Sequence, residues 1–328
     1  MRLKLRSVLL FLPFILSILL LVASLLSAPV GSFAAQYIAP VVRRLLAAIS
    51  SRFGFSLFEI CVLLFPIILC FIVRYVIKGC EGYGKRIVNA IAAVSAVCSI
   101  YVITILIPSL AGGRGEIPMV AEEELYSAAE ILISEISSLD GELCVPRAIY
   151  EIFDDAKRIC SEKSHGWLPV AKPLISSNLF SRLGILGLYS FPTAEININV
   201  KAPQYMIPFS VLHEYSHYVG IIDEGKANFF AFSLGYNSNK AYIRYSASLS
   251  ALEYILLDLH ELNLEKYITV YNMLSERAKS DLDEYREFLN ESSGSPAYSA
   301  SEKLHETLSA SQSYSSLSRY VTRYLLPA

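Results

Sequence analysis

The sequence predicts a mainly helical, membrane-anchored protein of the α+β class. Three N-terminal transmembrane helices are followed by a mostly helical polar domain with a small β-sheet. Two observations predict this class. Hydrophobic residues make up 54% of the 328 residues and charged residues only 18%, whereas charged residues are about 25% of a typical soluble domain. The longest apolar runs all lie before residue 112, so the front of the chain suits lipid and the back suits water.

Charge divides the chain at the same point. Residues 1–111 carry ten basic and two acidic side chains, a net charge of +8. Residues 112–328 carry eighteen basic and twenty-eight acidic side chains, a net charge of −10. We therefore predict a membrane region over 1–111 and a water-exposed domain over 112–328. The same composition excludes a disordered chain, a disulfide-dense mini-protein and a basic nucleic-acid-binding domain.

Three segments are long and apolar enough to span a bilayer, which needs about 20 helical residues. No charge interrupts Ser7–Val42 or Ile87–Ala111, and Glu59 is the one charge in Phe53–Val73. The first apolar run exceeds the 7–15 residues of a signal peptide, which favours an uncleaved anchor. We place the transmembrane helices at about 8–30, 56–77 and 87–109.

The distribution of Lys and Arg predicts the orientation, because cytoplasmic flanks carry more of them. Seven lie on the N-terminal side of the bundle and four on the other side: Arg2, Lys4, Arg6, Arg74, Lys78, Lys85 and Arg86 against Arg43, Arg44, Arg52 and Arg114. We therefore expect a cytoplasmic N-terminus and an extracytoplasmic C-terminal domain. The segment 36–53 places apolar residues at helical spacing beside two arginines and predicts an amphipathic helix in the outer interface.

The polar domain is predicted to be mainly helical, because apolar residues recur in it at helical spacing. Seven segments show this pattern: Val120–Leu139, Pro146–Lys163, Pro208–Gly220, Glu224–Gly235, Lys240–Leu262, Glu265–Leu289 and Leu304–Leu325. Alternating polar and apolar residues predict a strand at Ala194–Lys201, and Leu183–Tyr189 is a candidate partner strand. Cys144 and Cys160 also lie in this domain, where a disulfide is allowed but not implied.

The motif His213-Glu214-Tyr215-Ser216-His217 lies inside one predicted helix. Residues four apart lie on the same helix face, so both imidazoles can bind a single ion. Glu214 is rotated by about 100° from His213, so it can reach a water on that ion rather than the ion itself. Zinc lowers the pKa of such a water to about 7, and the carboxylate can then accept its proton. The pattern predicts His213 and His217 as zinc ligands and Glu214 as the general base.

Two neighbouring residues compete to be the third ligand. Asp223 has the metzincin spacing, with Asp in place of the last His of that pattern. Glu224 followed by Asn228 has the gluzincin arrangement, in which a second helix supplies a Glu ligand. Because a helical pattern continues from Glu224, Asp223 stands where a helix N-cap belongs. We therefore predict Glu224 as the ligand and Asn228 as a hydrogen-bond acceptor for His213, weaker than an Asp would be.

At these residues the chain resembles a bacterial family described as a domain of unknown function (number 3810) and grouped with the zinc peptidases. Its members have three N-terminal spans, a segment like the one that runs from Tyr189 to Asn197, and the H-E-x-x-H and E-x-x-A-N-F motifs. The segment Phe53–Glu59 and the pair Ser313-Tyr314 are similar to two further elements. Two residues depart from the pattern without touching a proposed ligand: Lys226 replaces an acid and Ala194 replaces Gly. The resemblance implies a membrane zinc peptidase with a zincin-like domain.

Further candidates concern the substrate. Glu195 and Asn197 are candidate substrate-binding residues, because an extended peptide can add to a sheet edge; a solvated strand face is the alternative. Tyr314, or Arg244 with Tyr245, can stabilise the oxyanion of a tetrahedral intermediate. We assign Tyr314 to the catalytic set.

We therefore expect a membrane-anchored zinc-dependent hydrolase, in the first place a metallopeptidase, with the lipid bilayer and a peptide or protein substrate as partners. The alternative is a catalytically weak or inactive zincin-fold scaffold or binding protein. The joint presence of His213, Glu214, His217 and Glu224 favours catalysis, because a decayed enzyme often loses its base or a ligand. Two imidazoles and a carboxylate suit Zn²⁺ best but also permit other divalent ions.

Overall fold

The computed structural model describes residues 2–77, 83–113, 117–142, 148–164, 166–293 and 316–327. Contacts within the chain divide it into two units. The membrane unit comprises Met1–Gly113 with Ser190–Glu195, and the polar unit comprises Arg114–Tyr189 with Ile196–Ala328. The structure is 77% helix with one small three-stranded sheet. The prediction of a mostly helical chain with a small sheet is therefore confirmed.

The described residues of the membrane unit contain three helical stretches long and apolar enough to cross a bilayer: Leu9–Leu26, Leu57–Tyr75 and Arg86–Ala111. Its helices are α1 (Arg2–Leu26), α2 (Ala28–Phe33), α3 (Ala39–Ser50), α4 (Leu57–Ile77), α5 (Tyr83–Tyr101) and α6 (Ile107–Ala111), with π-helical turns at Ala34–Ile38 and Val102–Leu106. The prediction of three helices long and apolar enough to cross a bilayer is thus confirmed. They suggest a membrane-anchored protein.

Helix α3 corresponds to the predicted amphipathic helix, but one of its arginines is buried. Ala39, Arg43 and Ala47 lie on one helix face and are at most 1% exposed. The Arg43 Nη1 atom donates a hydrogen bond of 3.2 Å to the carbonyl oxygen of Thr104, which lies in the second π-helical turn. Arg43 was counted among the outer flanking charges, so its burial leaves fewer exposed charges to support the predicted orientation.

The chain between the second and third strands contacts the membrane helices. The buried carboxylate of Glu195 accepts hydrogen bonds from the backbone N–H groups of Leu57 (3.1 Å) and Phe58 (2.8 Å). The first amides of a helix have no partner within it, and a negative charge complements the helix dipole there. Glu195 therefore caps α4. Phe191 packs edge-on against Tyr101, with ring centroids 5.4 Å apart.

The described helices of the polar unit are α7 (Glu122–Leu139), α8 (Ile149–Ser164), α9 (Ser177–Ser181), α10 (Met206–Val219), α11 (Glu224–Tyr236), α12 (Ala241–Leu262), α13 (Leu264–Asn272), α14 (Glu276–Ser293) and α15 (Ser316–Leu325). The segment Glu265–Leu289, predicted as one helix, forms two. Ser275 separates them, because its Oγ atom accepts a hydrogen bond from the backbone N–H of Ala278 and starts a new helix. The predicted helix Leu304–Leu325 lies in part outside the described residues.

The sheet has the strand order β1-β3-β2, with β1 at Lys172–Pro173, β2 at Gly187–Ser190 and β3 at Glu195–Ile198. Strands β1 and β3 are parallel. The connection between β2 and β3 has only four residues, which requires them to be antiparallel. The predicted strand is thus the central one, and its polar side chains, Glu195, Asn197 and Asn199, are at most 1% exposed. The alternative of a solvated strand face is therefore wrong.

Ala194 explains one departure from the family pattern. Its φ angle is 51°, in the left-handed region that glycine enters without steric cost. The resemblance leads us to expect Gly at this position, and the left-handed turn before β3 agrees with that expectation.

Candidate metal centre

Helix α10 carries the H-E-x-x-H motif and ends just after it. Most of its side chains are buried in the polar unit, as its aliphatic residues before the motif require. Gly220 ends the helix with a φ of 110°, and its N–H group bonds to the carbonyl of Ser216 (3.1 Å). This left-handed C-cap reverses the direction of the chain. The next helix, α11, therefore begins close by, at Glu224.

Asp223 and Glu224 take different positions at the start of α11. The side chain of Asp223 is the N-cap and accepts a hydrogen bond from the backbone N–H of Lys226 at 2.9 Å. Glu224 is the first residue of the helix, and its Oε2 atom lies 3.2 Å from Nε2 of His213. Glu224, not Asp223, therefore stands beside the histidine pair.

The three predicted ligands converge on a common point. The Nε2 atoms of His213 and His217 are 3.1 Å apart. The Glu224 carboxylate lies 3.2 Å from the first and 3.7 Å from the second. Ligand atoms about 2.1 Å from zinc in a tetrahedral shell are about 3.4 Å apart. The two Glu224 distances belong to its two different oxygens, and one donor atom from each residue lies within 4.8 Å of the other two. The three side chains can therefore hold a single zinc ion after a small rearrangement.

Hydrogen bonds at the other ring nitrogens orient both imidazoles. Nδ1 of His213 lies 2.7 Å from Oδ1 of Asn228, and Nδ1 of His217 lies 2.7 Å from the carbonyl oxygen of Ile221. Both partners are acceptors, so each imidazole can donate from Nδ1 and present its Nε2 atom as a metal ligand. The predicted role of Asn228 agrees with this geometry.

Glu214 lies beside the histidines, in a buried position against strand β2. A Cβ atom at Gly187 would come within 2.9 Å of both Cγ and Oε1 of Glu214. Burial raises the pKa of Glu214 to about 7; the nearby Glu224 adds to this rise, whereas His217 and a hydrogen bond from the backbone of Tyr189 oppose it. The carboxylate is therefore held beside the donor atoms without being one of them, since the convergent set is His213, His217 and Glu224.

Tyr254 is a residue that the sequence analysis missed. It comes near Asn228 from helix α12: burial raises the pKa of its phenol, Glu253 and Glu224 add to this rise, and the nearby Asn228 side chain opposes it. Nothing in the sequence distinguished this tyrosine among twenty-one. Only the packing of α12 against α11 brings it to the centre.

Among the described residues, the other predicted site residues make their contacts elsewhere. Arg244 bonds to Glu135 with its Nε atom at 2.8 Å, and the Tyr245 hydroxyl donates to Asp281 at 2.5 Å. Glu195 and Asn197 lie in the central strand, where Glu195 caps α4. This position favours a structural role for Glu195. Tyr314 and Cys144 lie outside the described residues, and Cys160 is a buried free cysteine.

The C-terminal helix packs along the helix that carries Glu224 and Asn228. The ring of Tyr320 lies 5.5 Å from that of Phe229, in the first half of α11. The hydroxyl of Tyr324 accepts a 2.5 Å hydrogen bond from Asn237, at the far end of α11. Ser316, the first residue of α15, precedes Tyr320 by about one turn and therefore lies toward the Glu224 end of α11.

Comparison with known proteins assigns the family. No curated protein and no solved structure matches the chain significantly. Residues 35–315 match the model of one family, whose description is "Protein of unknown function (DUF3810)". The matched residues include the last two spans, the sheet and all three convergent donors. Because the match covers well over half of the sequence, this chain belongs to the DUF3810 family.

Proposed function

We propose that the protein is a membrane-anchored, zinc-dependent hydrolase, and specifically a metallopeptidase. One observation carries the proposal: His213, His217 and Glu224 each offer one donor atom, and these three atoms lie within 4.8 Å of one another, so a single zinc ion can bind all three. The buried carboxylate of Glu214 lies next to them without joining the set. A binding site alone would not require that second carboxylate.

Glu214 is the general base in this mechanism. Zinc, when bound, supplies a Lewis acid that polarises a carbonyl group and acidifies water. Glu214 accepts a proton from the attacking water and then delivers it to the leaving amine. Gly187 leaves room for this carboxylate, and the backbone of Tyr189 holds it.

The sheet suggests how a peptide binds. Strand β2 is an edge of the described sheet, and its residue Gly187 contacts Glu214. An extended peptide that adds to β2 would pass beside the base and the metal. We therefore place the substrate backbone at β2, in preference to the predicted contacts at Glu195 and Asn197, whose side chains are buried in β3.

Two tyrosines are candidates for stabilising the oxyanion that forms during hydrolysis. Tyr314 lies outside the described residues and stays a candidate from the sequence. Tyr254 comes near Asn228 from α12. A Phe substitution at each position removes the hydroxyl and keeps the ring, so turnover of the two variants distinguishes them.

The cellular location is part of the proposal. We place the protein in the bacterial cell membrane, with a cytoplasmic N-terminus and the polar unit on the extracytoplasmic side. The three apolar helices and the basic flanks support this topology.

The alternative function is a zincin-fold scaffold that binds a partner and turns over little or no substrate. It has the same ligand geometry, so metal binding does not distinguish the two. The scaffold hypothesis predicts that function does not depend on Glu214 as a general base. The retention of Glu214 in a buried position against β2 favours the hydrolase.

Turnover of a mixed peptide library by the full-length protein tests the proposal. Glu214→Gln keeps the shape of the side chain but cannot accept a proton, so cleavage should fall by about 10²-fold or more while zinc content stays near wild type. His217→Ala should lose zinc and activity together. Glu130→Gln, an exposed change on α7, is the matched control and should leave both unchanged. Full activity of Glu214→Gln would exclude the hydrolytic mechanism.

A further inference from the structure

Helices α4 and α5 border an open groove in the membrane unit, lined by arginine and aromatic side chains. A cavity of about 480 Å³ is lined by Phe71, Arg74, Tyr75 and Arg86. The Nη1 atom of Arg86 donates a hydrogen bond of 3.3 Å to the carbonyl oxygen of Tyr75. Its guanidinium carbon also lies 5.5 Å from the centroid of the Tyr75 ring. These two contacts hold one cation at the groove.

The groove continues along α4 as an apolar surface. A second cavity of about 300 Å³ is lined by Pro66, Ile67 and Cys70, and shares Phe71 and Arg74 with the first. Pro66 and Arg74 are separated by eight residues, or about 12 Å of helix. One end of the continuous groove is therefore cationic and the other is hydrocarbon-like.

The cationic end lies where the spans meet water. Arg74 is next to the last residue of the span Leu57–Tyr75, and Arg86 is the first residue of the span Arg86–Ala111. No acidic side chain is among the described residues that line either cavity. Over residues 74–86 the sequence has four basic residues and one acidic residue. Arg74 and Arg86 thus lie at the ends of two candidate spans, where lipid headgroups are expected, in a locally positive environment.

We propose that this groove is a binding site for an anionic phospholipid. The phosphate lies between the guanidinium groups of Arg74 and Arg86, which match phosphate oxygens in geometry and charge. One acyl chain follows the apolar surface toward Pro66. Basic pockets between transmembrane helices select lipids with a net negative headgroup. The headgroup of a zwitterionic lipid also carries a cationic group, which the two arginines repel. This site is independent of the proposed hydrolase.

Native mass spectrometry of the full-length protein in detergent micelles tests the proposal. Phosphatidylglycerol and phosphatidylcholine with identical acyl chains are titrated in parallel, and bound lipid is counted. The wild type should bind phosphatidylglycerol roughly 30-fold more tightly than phosphatidylcholine, which is the effect expected of two arginines near a lipid headgroup. Arg74→Gln with Arg86→Gln should lose most of this preference, and the double Lys variant should keep part of it.

The matched control replaces Arg44 and Arg52, exposed arginines that belong to α3 and the segment after it, with Gln. It removes the same charge from another part of the membrane unit and should keep the preference. Equal binding of the two lipids by the wild type would overturn the proposal, and this comparison needs no variant to fold. An equal loss of lipid preference in the control would show that the preference depends only on net charge. That result would also overturn the proposal.

Discussion

The Nδ1 atom of His213, in α10, lies 2.7 Å from the Oδ1 atom of Asn228, in the next helix, α11. This contact decides which imidazole nitrogen faces the other donors, because an amide oxygen can only accept. Groups that hold a ligating histidine in this way typically contribute 10- to 100-fold to metal affinity. Asn228 supplies the orientation of the usual acidic partner without its charge.

The first prediction concerns Asn228. Asn228→Ala should weaken zinc binding by about 10- to 100-fold, because the His213 ring loses its orienting acceptor. Asn228→Asp should bind zinc at least as tightly as wild type, since a carboxylate makes the imidazole more basic. Competition with a chelator of known affinity measures both. Asn237→Ala, at the exposed end of the same helix, is the control, and an unchanged affinity in Asn228→Ala would contradict the orienting role.

The second prediction concerns Gly187. In Gly187→Ala the new methyl group would lie 2.9 Å from Oε1 of Glu214, so the carboxylate must move. Turnover should fall by about tenfold to a hundredfold, the scale of a small misplacement of a catalytic group. Zinc content should be unchanged. Gly141→Ala meets no atom within 4 Å and should be silent. Wild-type turnover in Gly187→Ala would show that Glu214 does not take part in the reaction.

The third prediction is a pH dependence of stability. Burial raises the pKa of Glu253 to about 7, partly offset by Arg286. The folded state therefore binds this proton more tightly than the unfolded state does. The stability that this group contributes is present below about pH 4.5 and is lost as the pH rises to about 7 and above. The shift corresponds to on the order of 3 kcal/mol.

Glu253→Gln tests this dependence. The thermal midpoint in detergent should fall less between pH 5 and pH 8 in the variant than in the wild type, because all other groups are the same in both proteins. The variant should therefore be the more stable protein at pH 8. An identical pH dependence in the two proteins would show that Glu253 is not buried as an acid.

The fourth prediction is the topology. The basic flanks predict that the polar unit lies outside the cytoplasm. Protease added to intact spheroplasts should therefore digest the region after residue 112 and spare the spans. A polar unit protected until the membrane is lysed would reverse the orientation.

Local patterns predicted the elements that local chemistry determines. The uncharged runs predicted three apolar helices, and the cap position of Asp223 predicted that Glu224 turns toward the histidines. Long-range packing determines the rest. The sequence offered Glu195 as a substrate-binding residue, with a solvated strand face as the alternative. It could not show that Glu195 bonds to the first amides of α4, because these residues are 137 and 138 positions away in the chain. The room at Gly187 and the approach of Tyr254 likewise depend on elements distant in sequence.

The cap that Glu195 provides to α4 has a practical consequence for purification. The predicted boundary at residue 112 suggests a soluble fragment that begins there. Such a fragment would lack the amides of Leu57 and Phe58, and the carboxylate that they satisfy would be left without those two donors at the start of β3. Only four residues separate Glu195 from the end of β2, and β2 is the strand beside Glu214. Assays on a truncated protein would therefore sample an altered β2, and the full-length protein in detergent is the form in which the proposed chemistry should be measured.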